Sequence, residues 1–151
     1  MIPKIIHYCW LSDDPLPLTI QKFVDGWGDI LPEYKIVKWG LESVPNVVWV
    51  REAFLNKKYA FAADYVRFYA LYHHGGIYLD SDVEVLTTFN DLLEKKSFIG
   101  YETGGDFEAA VIGAEKGSPW IKDCLDYYFE RQFVRSDGSF DMRPVPLLIN
   151  E

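Results

Sequence analysis

The chain has 151 residues, of which 49% are hydrophobic and 17% aromatic, and its formal net charge is -8. These values suit a single folded domain over residues 1–151 with a substantial core, and they exclude a disordered chain. The negative charge argues against nucleic acid as a partner because binding it needs a basic face, although a small anionic substrate is compatible if a metal ion neutralises it locally.

The amino-terminal segment predicts a strand followed by a helix. Residues 4–10 are mostly bulky and apolar, which suits a strand buried on both faces. Residues 11–16 form a loop, and Pro17 can occupy the helix start. The helix is predicted because four apolar residues recur at helical spacing: Ile20, Phe23, Val24 and Trp27.

A second strand and a short helix come next. Gly28 and Pro32 end the first helix, and residues 34–39 predict the second strand. A loop containing Pro45 and Asn46 leads to a short helix near 51–57.

The most informative stretch covers residues 61–85. Apolar residues at helical spacing predict a helix over 61–72, and the glycine pair 75–76 ends it. Residues 77–79 predict a buried central strand. If the backbone stays extended beyond it, Asp80 and Asp82 project to one side and the serine between them points away.

The carboxyl-terminal half continues the alternation. We predict a turn or short helix at 89–93, a strand at 98–101, a turn at 104–106 and a strand at 109–113. The pair Ser118-Pro119 begins a helix whose buried stripe contains Ile121, Cys124, Leu125 and Tyr128.

This order of elements predicts an α/β fold with a mostly parallel central sheet flanked by helices. The tail from 135 to 151 reads as a polar loop followed by the apolar run 145–149. The sequence stops as though another element should follow, which we interpret as a carboxyl-terminal truncation.

The cellular location is inferred from the lack of a signal peptide and of a membrane-spanning run in the sequence. Residues 1–7 have no long apolar core of a signal peptide, and no run approaches membrane-spanning length. Cys9 and Cys124 lie within apolar patterns and predict reduced, buried thiols. We therefore expect a cytoplasmic protein without a transmembrane segment.

The pair Asp80 and Asp82 is the strongest candidate site. Two carboxylates that converge at the end of a strand can seat a hard divalent cation, and ligands of open α/β sheets bind at strand carboxyl ends. An ordinary solvated acidic turn is the alternative. Glu84 continues the same alternation and fits a solvated edge residue better than a further ligand.

Asp64 and Arg67 lie three residues apart on one face of the predicted helix. They can form a simple intrahelical ion pair. Charges on a largely apolar helix are costly, however, so a ligand-binding role is equally compatible, with the carboxylate accepting from hydroxyl groups and the arginine clamping phosphate oxygens.

Two aromatic residues also have two interpretations. Trp10 ends the first strand, where it can be a core side chain or a flat platform for a nucleobase. Tyr78 can pack in the core or direct its hydroxyl at a phosphate. The three histidines, His7, His73 and His74, show no metal-ligand spacing.

Three blocks carry a resemblance to a known family: Ile2-Pro-Lys-Ile-Ile-His-Tyr-Cys-Trp10, Lys58-Tyr-Ala-Phe-Ala-Ala-Asp-Tyr-Val-Arg67 and Gly75-Gly-Ile-Tyr-Leu-Asp-Ser-Asp82. Together they resemble the DXD-containing sugar transferases of glycosyltransferase family 32, which include bacterial capsule and lipopolysaccharide transferases and the yeast initiating mannosyltransferase. The resemblance covers nearly the whole chain.

The resemblance implies a GT-A, Rossmann-like nucleotide-sugar-binding fold and a retaining transfer from a nucleotide diphosphate sugar with Mn²⁺ or Mg²⁺. A UDP-sugar is favoured over GDP-mannose. The implied acceptor is a glycan or lipid-linked molecule of bacterial surface polysaccharide synthesis, and a lipid-linked one would place the protein at the inner face of the membrane.

The resemblance also assigns the candidate residues. Asp80 and Asp82 match the catalytic, metal-binding pair, with Asp82 favoured as the direct ligand. Asp64, Arg67 and Tyr78 match donor-contacting residues, and Trp10 matches the base-stacking aromatic residue.

The chain departs from the family pattern in two respects. Ala63 stands where the family often has serine, and relatives usually continue well beyond position 151, where acceptor and diphosphate contacts are found. One alternative is therefore a truncated domain that binds a nucleotide sugar or a partner without turnover. Another is a glycosidase that uses Asp80 and Asp82 as acid and nucleophile, although such roles need two differently tuned environments.

Overall fold

The computed structural model describes residues 1–43, 46–101, 107–129 and 131–141. The predicted turn at 104–106, Pro45 and the apolar run 145–149 lie outside these ranges. The described helices and strands are, in chain order, β1 Ile5–Cys9, α1 Leu18–Ile30, β2 Lys35–Trp39, α2 Val48–Leu55, α3 Tyr59–His74, β3 Gly76–Leu79, β4 Ser97–Tyr101, β5 Phe107–Ala114 and α4 Pro119–Phe129, with 3-10 turns at Leu41–Ser43 and Asn90–Leu92.

The strands form a single five-stranded sheet in the order β2-β1-β3-β5-β4. β1 pairs parallel with both β2 and β3, whereas β5 pairs antiparallel with both β3 and β4. Four of these five strands therefore run in one direction and β5 alone runs in the other. The predicted α/β fold with flanking helices is confirmed, and its described sheet is mixed, with two parallel and two antiparallel strand pairs.

Helices cover both faces of the sheet. Along β1 the side chains alternate, so Ile6 and Tyr8 pack in a core with Trp27 of α1, whereas Cys9 packs in the second core with α2, α3 and α4. The edge of the Trp27 ring meets the Tyr8 ring with centroids 5.5 Å apart. Both cysteines are free thiols, with Cys9 buried and Cys124 half-buried.

Helix α3 ends at a glycine pair that no other residue could replace without strain. Gly75 has φ 69° and Gly76 has φ 116°, both in the left-handed half of conformational space. A Cβ on Gly75 would lie 2.7 Å from the backbone nitrogen of Lys116, and one on Gly76 would lie 2.6 Å from the carbonyl oxygen of Ile5. The close approach brings β3 directly beside β1.

The buried His7 ring links the glycine pair to strand β2 through two hydrogen bonds. Its Nε2 lies 2.9 Å from the carbonyl oxygen of Gly75, and its Nδ1 lies 3.0 Å from the indole nitrogen of Trp39. Because the Trp39 indole N–H can only donate, Nδ1 accepts and Nε2–H donates to Gly75. Burial lowers the pKa of His7 to about 4, so the ring is neutral.

Element boundaries differ from the sequence predictions by a few residues. Helix α2 begins at Val48 rather than near 51, because Trp49 and Val50 are buried in the core. Helix α3 extends over Tyr59–His74, beyond the predicted 61–72 at both ends. Among the helices that the structure describes, none combines the length and hydrophobicity that crossing a lipid bilayer requires.

Candidate functional site

A cavity of about 480 Å³ lies where the chain leaves β1 and β3. In open α/β sheets this is the edge at which ligands bind. The structure brings all six sequence-predicted site residues to this one cavity: Trp10, Asp64, Arg67, Tyr78, Asp80 and Asp82.

One wall of the cavity is a stripe of helix α3. Tyr59, Ala60, Ala63, Asp64 and Arg67 recur at spacings of three and four residues and all line the cavity. Ala63, which stands beside Asp64 in the sequence, lies in this stripe. The helical periodicity of the sequence is what aligns these residues.

Arg67 lies at the floor of the cavity and contacts three segments of the chain, and we refer to it as the arginine hub. Its Nη1 donates to the carbonyl oxygen of Ala109 at 2.7 Å, and its Nη2 lies 3.2 Å from Asp64 and 3.4 Å from Asp80. The guanidinium also lies over the ring of Tyr78, 4.7 Å from its centroid. Arg67 thus joins helix α3, the end of β3 and the start of β5.

The Arg67 side chain is only 8% exposed, and that of Asp64 only 10%. Burial disfavours a charged Arg67, but its attraction to Tyr78, Asp64 and Asp80 outweighs this, so its pKa is raised. Burial raises the pKa of Asp64 above its ordinary value against the pull of Arg67, and the Asp80 carboxylate adds to the rise. A single arginine therefore compensates two carboxylates.

The acidic pair lies on a turn, and this corrects the expectation of an extended backbone. The N–H of Asp80 still pairs with the carbonyl of Ala110 beside it, but the N–H of Val83 then donates to the carbonyl of Asp80 at 3.0 Å. This i to i+3 bond closes a turn over residues 80–83. Ser81 lines the cavity together with Asp80 and Asp82.

The two carboxylates differ in how they are held. Asp80 interacts with Arg67, and its side chain is 32% exposed. Asp82 is exposed at the cavity and makes no ion pair within the described part of the chain. Glu84 is exposed after the turn and is not among the described lining residues of the cavity.

This donor set fits a divalent cation that is bound together with a substrate. No cluster of three or more His, Cys, Asp or Glu side chains that could hold a metal exists among the described residues. Mg²⁺, and Mn²⁺ with similar ligand preferences, is commonly held by one or two carboxylates plus substrate phosphates rather than by a protein cage. Asp80 and Asp82 supply such a pair of oxygen ligands on one turn.

Trp10 and Tyr78 both line the cavity but differ in how deeply they are buried. The backbone N–H of Trp10 donates to the carbonyl of Trp39 at 3.0 Å, and its indole N–H donates to the carbonyl of Asp14 at 2.7 Å. The half-buried Trp10 ring is thereby held at the cavity. Tyr78 also lines the cavity but is only 2% exposed, and burial is the largest cause that raises the pKa of its hydroxyl.

Several lining residues were not predicted from the sequence. They include Leu11 and Ser12 in the loop after β1, Ile20 of α1, and Ala109 at the start of β5. Leu11 and Ser12 could have been predicted as site residues, since they directly follow a strand at the edge of the sheet where ligands bind. Ala109 had none, because its contribution is a backbone carbonyl 42 residues from Arg67.

Comparisons with known proteins show the family of the chain. The family model described as the glycosyltransferase sugar-binding region containing DXD motif matches residues 17–99. The chain is 32% identical over 129 residues to inositol phosphoceramide mannosyltransferase 3 of Schizosaccharomyces pombe, a match covering 80% of this chain and 35% of the relative. It is 31% identical over 137 residues to mannosyl phosphorylinositol ceramide synthase SUR1 of Saccharomyces cerevisiae, covering 83% of this chain and 34% of that protein.

A viral relative and a solved structure extend the comparison. The uncharacterized glycosyltransferase L373 of Acanthamoeba polyphaga mimivirus is 28% identical over 157 residues, a match covering 92% of this chain and 59% of that protein. The PaToxG glycosyltransferase structure superposes with a TM-score of 0.69 at 18% identity, covering 83% of this chain and 59% of the other. This likeness shows the fold, which is GT-A as the resemblance implied.

The chain spans about a third of the length of the two fungal relatives. The matched segment 17–99 contains Asp80-Ser81-Asp82, a D-x-D triplet at the cavity. The chain therefore belongs to the family of glycosyltransferases whose sugar-binding region contains a DXD motif.

Proposed function

We propose that this chain is the donor-binding part of a metal-dependent, retaining glycosyltransferase that moves a sugar from a nucleotide diphosphate sugar to a glycan or lipid-linked acceptor. The observation that carries the proposal is the convergence of an acidic turn, a buried arginine hub and a tryptophan platform on one cavity. Family membership supports the reaction class.

Trp10 is proposed to stack on the nucleobase. Its indole N–H is already bound to the Asp14 carbonyl, so the ring offers its face rather than a hydrogen bond. Stacking of a base on an aromatic ring is worth about 1–3 kcal/mol. Because the loop already fixes the ring, little conformational entropy is lost when the base arrives.

The charges of the cavity support a requirement for a cation. Asp80 and Asp82 contribute two carboxylates to the lining, Asp64 adds a third negative charge when it is ionised, and Arg67 carries one positive charge, so carboxylates outnumber cations in the lining. A nucleotide diphosphate would be repelled by this surface. A divalent cation held by Asp80 and Asp82 would act as a Lewis acid that neutralises charge on the diphosphate leaving group.

Arg67 is proposed to orient Asp64 and Asp80 rather than to clamp a phosphate. Both of its terminal nitrogens already have partners, and its side chain is almost fully buried. Asp64 lines the cavity wall with one carboxylate oxygen bound to Arg67, which orients the group toward a donor hydroxyl.

The sugar and the acceptor are proposed from the names of two fungal relatives. The two fungal relatives are named for mannose and for an inositol phosphoceramide acceptor. These names favour a mannose-bearing donor and a lipid-linked acceptor, whereas a UDP-sugar and a surface polysaccharide remain predictions from the family resemblance. A cytoplasmic location, with the inner membrane face for a lipid-linked acceptor, also remains a prediction.

Calorimetry tests the donor assignment. The chain is titrated with GDP-mannose and with UDP-hexoses, each with and without Mn²⁺. We expect one donor class to bind only with the metal, and Asp82→Asn to abolish that binding while the unfolding midpoint stays unchanged, since Asp82 is exposed. Glu84→Gln is the matched control, because it removes a nearby exposed carboxylate outside the cavity.

Two results would contradict the proposal. One is tight donor binding that ignores Mn²⁺, and the other is no binding of any nucleotide sugar under either condition. Transfer of the sugar to an added acceptor would exclude the alternative of binding without turnover.

A further inference from the structure

Trp27 lies on the opposite side of the sheet from the cavity floor, yet it contacts the acidic turn. Trp27 belongs to α1, and its fully buried side chain packs edge to face with the Tyr8 ring of β1. From there its indole N–H donates to the carbonyl oxygen of Val83 at 2.8 Å, across 56 residues of sequence. A hydrogen bond this remote in sequence ties two elements together in the folded state.

Val83 is the residue at which the turn closes. Its backbone N–H donates to the Asp80 carbonyl, and its own carbonyl accepts from Trp27. Val83 is also half-buried against the core that contains Trp27. The only residues between the two anchored positions are Ser81 and Asp82, so the Val83 anchor limits where the Asp82 carboxylate can lie relative to Asp80.

We propose that Trp27 is a positioning residue for the cation: through the Val83 carbonyl it fixes the turn at residues 80–83 and therefore the relative placement of the Asp80 and Asp82 carboxylates. The inference rests on the proposed function, in which those carboxylates bind a divalent metal. Arg67 holds the Asp80 side of the turn from α3, and Trp27 holds its far side from α1. Groups that orient metal ligands commonly change metal affinity by 10- to 100-fold when removed.

The test measures Mn²⁺ affinity by calorimetry or by the electron paramagnetic resonance of free Mn²⁺, with Mn²⁺ alone and with GDP or UDP present. Trp27→Phe keeps an aromatic ring in the core and removes the N–H. Trp120→Phe is the matched control, since the half-buried Trp120 likewise donates one indole hydrogen bond, to Ser97 at 3.0 Å, outside the cavity. We expect Trp27→Phe to weaken Mn²⁺ binding about tenfold or more, and Trp120→Phe to match the wild type.

A measurement on the wild type covers the case in which Trp27→Phe fails to fold. In a nuclear magnetic resonance titration with Mg²⁺, the indole proton signal of Trp27 should shift while that of Trp120 stays in place. An unmoved Trp27 signal at saturation, or a folded Trp27→Phe variant with wild-type Mn²⁺ affinity, overturns the inference alone. A wild type that binds no Mn²⁺, with or without nucleotide, overturns the proposed function as well.

Discussion

Protonation of His7 should destabilise the whole fold, and the size of the effect follows from its burial. The ring is 1% exposed, accepts from Trp39 at Nδ1 and donates to Gly75 from Nε2. A second proton on the ring would face the Trp39 N–H and abolish that hydrogen bond. The pKa of His7 is accordingly lowered from 6.5 to about 4, with burial as the largest cause.

The free energy of unfolding should fall as the pH is lowered and His7 becomes protonated. Because the unfolded chain binds the proton more readily than the folded chain, the stabilisation by His7 is complete above about pH 6.5 and is lost as the pH falls toward about 4. A tenfold change in an equilibrium constant is worth about 1.4 kcal/mol, so the full loss is about 3 kcal/mol. About 2 kcal/mol of this should be lost between about pH 7 and pH 5.

Urea unfolding followed by tryptophan fluorescence measures the effect at each pH. In His7→Gln the side chain cannot titrate but still offers a donor and an acceptor, so its stability should fall less steeply with decreasing pH than that of the wild type. His74→Gln is the control, because it removes an exposed histidine whose ring centroid lies 6.0 Å from that of His7 but leaves the His7 ring buried with both of its hydrogen bonds, so it should keep most of the wild-type slope.

One result would refute the reasoning. If the His7 ring signals titrate near pH 6.5 in the folded protein, or if His7→Gln retains the pH dependence of the wild type, then burial does not hold the ring neutral.

The remaining predictions concern the arginine hub and the glycines. Arg67→Met should lower the free energy of unfolding by about 3 kcal/mol or more in urea, because Asp64 and Asp80 lose their shared cation, and a loss below about 1 kcal/mol would contradict the pairing. Gly76→Ala should cost about 1–3 kcal/mol in the same assay, since φ is 116° and the new Cβ would lie 2.6 Å from the Ile5 carbonyl. Gly26→Ala, in α1 with open space around the new Cβ, should instead raise the free energy of unfolding by up to about 1 kcal/mol. Equal changes for Gly26→Ala and Gly76→Ala would contradict both predictions.

Local patterns of sequence predicted the elements well. Helix α3 followed from apolar spacing and from the glycine pair that ends it, and both are local signals. The reversed direction of β5 was not predictable, because strand direction depends on the path of the connection rather than on residues within the strand.

The site was predicted as a set of residues but not as a set of contacts. All six candidates line one cavity because strand ends and a helical stripe converge there. Two details differ for physical reasons. The turn closed by Val83 replaced the extended backbone assumed for Asp80 and Asp82, and Arg67 turned inward to Ala109, which no local pattern encodes.

The arginine hub also has a consequence for how the protein folds. Arg67 contacts Asp64 on its own helix, Asp80 at the end of one strand and Ala109 at the start of another, so its full set of partners is present only when all three segments are in place. A partly folded chain that buried Arg67 with Asp64 alone would leave part of the guanidinium without a partner, which is costly in a buried site. We therefore expect the cavity floor to form late in folding and to unfold together with the central strands, so that the slowest amide protons to exchange should include those around Arg67.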